Sequence, residues 1–429
     1  MQVIPHTQTA VNNFLGMHRF DAMFQILVGS WTSPARHSFY ADGNVLAWSQ
    51  LLPYRQGSQL PDNFGIDWAS GCYGPEIVVH VQGACQIYEH SGNLTFLNMS
   101  YAFYKELFWD DGMDRTFGYE YDSVLCLNKM AAALGHGNDT AHWNASIDIG
   151  HTNQSLYDQW QKDTPNMFGG TKGGMGWTNI APAGISIFPR EWVVAMAEHW
   201  MDNPTEGFYT PQAPLARTAL KDWGAFPPGN FAIVPDGNWF MLRALYMHGV
   251  DRLANKFTLN HLKRYNMEWG EIPVAPEART AEFKLFGDQY SNFNAGKILL
   301  ILEGIGGLKY SVAEDAFTFA DSLPANWTFM EFRVPVVRRA GAGVTWVAAR
   351  AERSCEDGKV TKTVTVDSNP FANLRLQPWA EDGRVVASSP EGGNLTDGHV
   401  EWLLHGETAR AVLTLDAPCT PPPGGAADH

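Results

Sequence analysis

The sequence predicts a large all-α toroid up to about residue 312, followed by a small C-terminal β-sandwich. Three observations predict it. Apolar residues recur at helical spacing in paired segments through the first three-quarters of the chain, the pattern of helical hairpins that each bury one face. After about residue 313 the period falls to two, with β-branched residues between Gly, Asp and Asn turns, as half-buried strands require. The chain has 429 residues, 45% apolar and only 17% charged, enough to bury the core that such a body needs.

Taken in order, "FDAMFQILVGSW" (20–31) has helical apolar spacing, and "PEIVVHVQGACQIYEHSG" (75–92) repeats it before stopping on Gly92. Glycine after a helix adopts the left-handed conformation at least cost. "LTFLNMSYAFYKELFW" (94–109) is its partner. "YDSVLCLNKMAAALG" (121–135) stops on Gly135, and a second helix covers roughly 140–162. "PREWVVAMAEHWMDN" opens with Pro189 in a first-turn position, where its missing N–H costs nothing. "GNWFMLRALYMHGV" (237–250) pairs with "DRLANKFTLNHLKRYNMEW" (251–269), and "SNFNAGKILLILEGIGG" (291–307) closes the series. No strand alternation stands between the hairpins. Two aperiodic loops, 164–184 and 210–236, are of the length that functional loops have. The later strands are "TFMEFRVPVV", "GVTWVAARAE", "KVTKTVTVDS", "HVEWLLHG" and "ARAVLTLDA". The domains expected are thus a helical body over 1–312, a β-sandwich over 313–419 and a disordered Pro/Gly-rich tail over 420–429.

Charge and composition narrow the partners. Thirty basic residues face 45 acidic ones, a net charge of −15 with no basic stripe, which argues against nucleic-acid phosphates and anionic membrane surfaces. No apolar run reaches the roughly 18 residues of a membrane span. Aromatics stand at 13%, with sixteen Trp, which suits sugar stacking and a helical core equally. The cysteines, Cys72, Cys85, Cys126, Cys355 and Cys419, form no metal-ligand spacing. Cys72 with Cys85, or Cys355 with Cys419, are the disulfides expected. The fourteen His are unsuited to a metal, and His18 and His199 read as structural. No metal and no cofactor is expected. Sequons at Asn93, Asn98, Asn138, Asn144, Asn153, Asn326 and Asn394 point to a secreted or luminal glycoprotein, with N-glycans at Asn93, Asn138, Asn144, Asn153, Asn326 and Asn394. The first residues have neither a basic start nor an apolar run, so a leader would lie outside this sequence.

With no P-loop and no G-x-S-x-G, the chemistry left is that of paired carboxylates. Glycoside hydrolysis uses two, one to protonate the leaving oxygen and one to act on the opposite face of the sugar. Asp114, in "DGMD", and Glu271, in "EWGEIPVAP", each sit in a Gly-containing loop just outside a helix. Asp110 and Asp111 rival the first, and Glu268 and Glu277 the second.

Three segments, carrying four motifs in order, resemble the six-hairpin (α/α)6-barrel glycosidases, most closely glycoside hydrolase family 63 and its trehalase relatives. "FDAMFQILVGSW" resembles the family's W-D-x-x-F segment, and "DGMDRTFGYEYDSVLCLNKMAAALG" its G-M-D segment and the helix after it. "GEIPVAPEARTAEFKLFGDQYSNFNAGKILLILEGIGG" is similar to the E-x-Y-x-P segment and the closing helix. The likeness spans about residues 15 to 310. It implies an inverting hydrolase of an α-linked glucoside or related small glycoside, with Asp114 as general acid and Glu271 as general base. It also implies that Asp21 contacts sugar hydroxyls beside Phe20. Inversion needs room for a water, so about 6.5–9.5 Å should separate the carboxyls.

The departures are specific. Phe20 stands where the family has Trp, Ile272 replaces the aromatic after the base, and "NFAIVPDGNWF" lacks the family's Arg. Asp236, Asn238 and Trp239 are the substitutes in that loop, Trp177 is a candidate stacking platform, and Tyr290 with Asn292 precedes the closing helix. These changes bear on the glucose pocket more than on the fold. The competing class is a non-catalytic glycan-binding or structural glycoprotein on the same barrel, since fold does not fix function. A lyase or epimerase is a third class, disfavoured for polyanionic substrates by the acidic balance.

Overall fold

The computed structural model describes residues 16–18, 27–34, 60–61, 63–65, 72–73, 75–109, 119–146, 189–210, 213–215, 219–222, 235–269, 275–279, 285–339, 343–381, 383–396, 398–417 and 419. Within them, a helical body is followed by two β-sheets. After a helical stretch over 27–32 come α1 (Pro75–Ser91), α2 (Leu94–Phe108), α3 (Tyr119–Ala133), α4 (Gly137–Ser146), α5 (Arg190–Met196), α6 (Pro235–Met247), α7 (Asp251–Trp269) and α8 (Ser291–Leu299).

Each hairpin is built from local chemistry. Asn93 caps α2, its side chain accepting from the N–H groups of Thr95 and Phe96 at 3.0 and 3.1 Å, an arrangement worth about 1 kcal/mol. The helix then buries Phe96, Leu97, Ser100, Tyr101, Phe103, Tyr104, Leu107 and Phe108, two adjacent rows at steps of three and four that form one broad face. Gly92 and Gly135 carry φ of 64° and 77°, so the expected glycine stops are present. Asp139 of α4 accepts from Tyr101 and Lys105 of α2 at 2.7 and 2.6 Å, and Trp143 donates to Tyr101 at 3.1 Å.

Side-chain registers reveal two helical layers. Gln82 meets Ser123, Cys85 meets Cys126, and Glu89 meets Lys129, a nearly constant offset that makes α1 and α3 parallel. Gly296 lies against Trp239, and Gly304 against Tyr246, so α6 and α8 are parallel too. The chain reverses between α6 and α7: the Tyr246 hydroxyl donates to Asn255 Oδ1 at 3.1 Å and lies 3.1 Å from the Thr258 hydroxyl. Parallel neighbours with antiparallel partners are the repeat of a helical double layer.

Among the described residues the β-unit holds ten strands: β1 (Leu308–Ser311), β2 (Ala316–Phe319), β3 (Phe329–Val337), β4 (Val344–Glu356), β5 (Lys359–Asp367), β6 (Asn373–Leu376), β7 (Arg384–Ser389), β8 (Asn394–Thr396), β9 (His399–Leu404) and β10 (Ala409–Asp416). One sheet runs β3-β4-β5-β10-β7, antiparallel throughout. The other runs β8-β9-β6-β2-β1 and is antiparallel except where β2 lies parallel to β6. Val347, Ala349 and Ala351 of β4 alternate with outward residues, as do Val364 and Val366 of β5 and Leu413 and Leu415 of β10. The first of these sheets contains four of the strands read from sequence, and β9 lies in the second.

Several expectations change. Cys355 is bonded to Cys419 with Cα atoms 5.6 Å apart, but Cys85 is a buried free thiol beside Cys126, which overturns its pairing with Cys72. Pro189 is the residue before α5 rather than in its first turn. The helix expected over 140–162 begins at Gly137 and is described to Ser146. Strand pairs do stand among the hairpins: Gly16–His18 with Asn63–Gly65, Leu60–Pro61 with Cys72–Tyr73, Tyr209–Thr210 with Ala213–Leu215, and Ala275–Arg279 with Leu285–Tyr290. The segment 420–429 lies outside the described residues. Among the described residues, no helix is long and apolar enough to cross a membrane.

The β-unit packs on the C-terminal ends of α1, α6 and α8. Val312 N–H donates to Glu89 O at 2.6 Å, and the Tyr310 hydroxyl to His90 O at 3.3 Å. Gly307, with φ of 53°, turns the chain from the end of the last helix into β1. Asp251, at the start of α7, accepts from Ser322 and faces His399 Nε2 at 3.1 Å.

Candidate functional site

The inner helix faces enclose a cavity of about 550 Å³. Gln82, Cys85, Gln86 and Glu89 of α1 line it, with Asp122 and Cys126 of α3, Trp239, Arg243 and Tyr246 of α6, Leu299 of α8, Glu303 in the turn after it, and Trp31 from the first helical stretch. Within each helix the spacing is three or four residues, so one stripe per helix faces inward. Lys309, Tyr310, Gln377, His399 and Glu401 close the end beside the β-unit. The cavity thus extends from the first turns of α3 and α6 to the C-terminal turns of α1, α6 and α8.

Its polar groups are held in place. Glu303 Oε1 accepts from Trp31 Nε1 and Gln86 Nε2, each at 2.8 Å. Lys129 binds Glu89 and reaches Glu314 at 3.0 Å; burial opposes its charge, but the two carboxylates outweigh it and raise its pKa. Arg243 lies 5.4 Å from the Trp239 ring centroid and has no acidic partner among the described residues. Burial works against protonation of His399, but the charge and hydrogen bond of Asp251 and the Gln377 carbonyl at 2.6 Å raise its pKa overall. The hydrogen bond with Cys126, then burial, pushes the Cys85 thiol well up, so it stays protonated and is a poor nucleophile. Five carboxylates, Glu89, Asp122, Asp251, Glu303 and Glu401, outnumber the cations Arg243 and Lys309 in the lining. Such a lining can hydrogen-bond a neutral polyhydroxyl solute and disfavours a polyanion. Among the described residues, no group of three or more His, Cys, Asp or Glu could hold a metal ion.

Of the residues singled out from sequence, Asp114, Glu271, Phe20, Asp21 and Trp177 lie outside the described residues, as do the rivals Asp110 and Asp111. Asp236 falls in the first turn of α6, and Tyr290 ends the strand that leads into α8. Glu268 falls in α7 and Glu277 in the strand over Ala275–Arg279. Asn238 and Trp239 are buried; Asn238 donates to Leu215 O at 3.3 Å, while the Trp239 ring packs on Gly296 and borders the cavity. Sequence reasoning missed Trp31, Gln86, Arg243 and Glu303. A signal was available in α1, where Gln82, Gln86 and Glu89 form a polar stripe at helical spacing beside Val81, Ala84, Ile87 and Tyr88.

No family model matches the chain, and no curated protein matches it in sequence. Solved structures do. An alpha-L-rhamnosidase from Dictyoglumus thermophilum is similar over 93% of this chain and 46% of its own, with a TM-score of 0.61 and 10% identity. An alpha-L-rhamnosidase from Streptomyces avermitilis, complexed with L-rhamnose, is similar over 92% of this chain and 38% of its own, with a TM-score of 0.54 and 11% identity. A GH78-family rhamnosidase from Bacillus sp. GL1 is similar over 84% of this chain and 38% of its own, with a TM-score of 0.50 and 15% identity. The chain therefore spans less than half the length of these enzymes. At such identity the likeness is one of fold, that of an (α/α)-barrel glycoside hydrolase with a β-unit. These structures give no support to the narrower likeness to family 63.

Proposed function

We propose that this chain is an inverting glycoside hydrolase acting on an α-linked glucoside or a related small glycoside. The observation that carries the reading is the cavity itself: parallel inner helices turn polar stripes onto one half-open, acid-rich cleft, in a fold shared with glycosidases. The complete ring would comprise six hairpins. Asp114 stands five residues before α3, whose first turn lines the cavity at Asp122, and Glu271 stands two residues after α7. Asp114 would protonate the glycosidic oxygen. Glu271 would draw a proton from water as it attacks the anomeric carbon from the opposite face, through an oxocarbenium-like transition state. Phe20, Asp21, Trp177, Asp236, Asn238, Trp239 and Tyr290 complete the proposed sugar site.

The rhamnosidase neighbours favour a second reading of the glycone, an α-L-rhamnoside. Parallel assays with aryl α-glucosides, aryl α-L-rhamnosides and natural disaccharides separate the two, and the first-formed anomer reports inversion or retention. Turnover of none of them would favour the non-catalytic glycan-binding class. We also propose a secreted or luminal setting. The Cys355–Cys419 bond supports it, as does the exposure of Asn138, Asn144, Asn326 and Asn394. Expression in a glycosylating host should give a mass that falls on endoglycosidase treatment; an unchanged mass would count against N-glycans.

A further inference from the structure

We propose that the outer face of the β3-β4-β5-β10-β7 sheet binds an extended polysaccharide chain, as an accessory site separate from the cavity. The inward residues of this sheet form the core, and most of the other face is open to solvent, apart from Pro335 and Val337, which are buried at one end of β3. On that face Trp346 is 49% exposed and Phe329 is 56% exposed. Pairing sets them apart: Trp346 stands opposite Pro335, and Phe329 opposite Glu352. Six residues along β3 separate Pro335 from Phe329, about 20 Å at roughly 3.3 Å per residue. A span of that length holds several sugar rings rather than one.

The surface between the two rings is polar and ordered. Arg350 joins Glu331 at 3.4 Å and Glu352 at 2.6 Å, and its guanidinium lies 5.5 Å from the Phe329 ring. Arg333 lies 5.6 Å from the Trp346 ring. Beside them Thr361, Thr363 and Thr365 of β5 lie on the same face, and Thr414 of β10 stands opposite Thr361. Aromatic rings with an adjacent row of hydroxyl and guanidinium groups match a pyranose chain, whose C–H faces are apolar and whose edges hydrogen-bond. A second copy of this chain fits less well. Val344, 43% exposed, stands beside Trp346 at one end, but Arg333, Glu331 and Arg350 lie between that small group and Phe329, whereas stable protein interfaces centre on one contiguous apolar patch.

This inference does not depend on hydrolysis. The test is electrophoresis of the unglycosylated full chain through native gels containing soluble polysaccharides, neutral and uronate-bearing. At least one should retard the wild-type protein. Trp346→Ala and Phe329→Ala should each weaken that retardation about tenfold, with unchanged melting temperature and unchanged turnover of small glycosides. Retardation by no polysaccharide, or equal retardation of both variants and wild type, overturns the proposal. So does self-association in sedimentation that Trp346→Ala abolishes, since it would assign the face to a second copy. Because turnover of small glycosides is measured separately, failure here is distinguishable from failure of the hydrolase reading.

Discussion

His399 shows how one side chain can set a pH limit. Its pKa is raised in the folded protein by Asp251, against the opposing effect of burial. A histidine with a raised folded pKa contributes stability that is complete below its unfolded value of about 6.5 and is lost as pH rises through the folded value. The melting temperature should therefore fall as pH rises above about 6.5. In His399→Gln that limb should flatten, at a cost near about 3 kcal/mol in mildly acid buffer, the low end for breaking a buried pair; an unchanged limb would remove His399 as its cause. His261 acts in the opposite direction. Burial, then the charge of Lys297, lowers its pKa to about 3, so its contribution is present above about 6.5 and lost as pH falls toward that value. Lys362 and Asp321 present a second residue-scale case, paired at 3.0 Å with both side chains fully buried. Lys362→Met alone should cost about 3–5 kcal/mol by stranding a buried carboxylate, whereas adding Asp321→Leu should recover most of it. Urea unfolding of the three proteins measures this, and equal losses in single and double variants would contradict it.

Elements were legible in sequence where a stripe and a stop coincided, as in α1 and α3, whose glycine stops carry positive φ. They were illegible where pairing rather than composition makes the element. "APEAR" has no β-branched residue, yet it pairs as a strand with Leu285–Tyr290. β1 and β2 have only four residues each, too few to display a period against their loops. Between the helical body and β1, Gly307 could not be replaced by any larger residue without strain. A Cβ there would meet Ala320 O at 1.9 Å, and φ is already 53°. Gly307→Ala should therefore cost about 3 kcal/mol or more, from left-handed strain plus overpacking; full stability in thermal melts would refute the assigned turn. The disulfide works at the same scale, closing 64 residues of sequence from the end of β4 to the segment beyond β10. Chain entropy assigns such a link about 4 kcal/mol, so Cys355→Ser should lower stability by about 2–4 kcal/mol in urea, and no loss would contradict the account.

At the scale of the molecule, the helical body and the β-unit were both visible as a change of period from 3.6 to 2. The cavity was not, because it is formed by residues far apart in sequence: Trp31, Gln86 and Glu303 meet through hydrogen bonds that span 217 and 272 positions. No local pattern announces such a meeting. The proposed carboxylate pair is the reverse case: Asp114 and Glu271 are read from loop sequence alone and lie outside the described residues. The central claim is that this cavity belongs to a hydrolase that uses these two residues. Its most direct measurement is turnover of aryl α-glucosides and α-L-rhamnosides by wild type, Asp114→Asn and Glu271→Gln, with melting temperatures taken alongside. The account predicts turnover by wild type and a loss of about 10²–10⁴-fold in each variant, at unchanged melting temperature. Wild-type turnover that survives undiminished in both variants would contradict it.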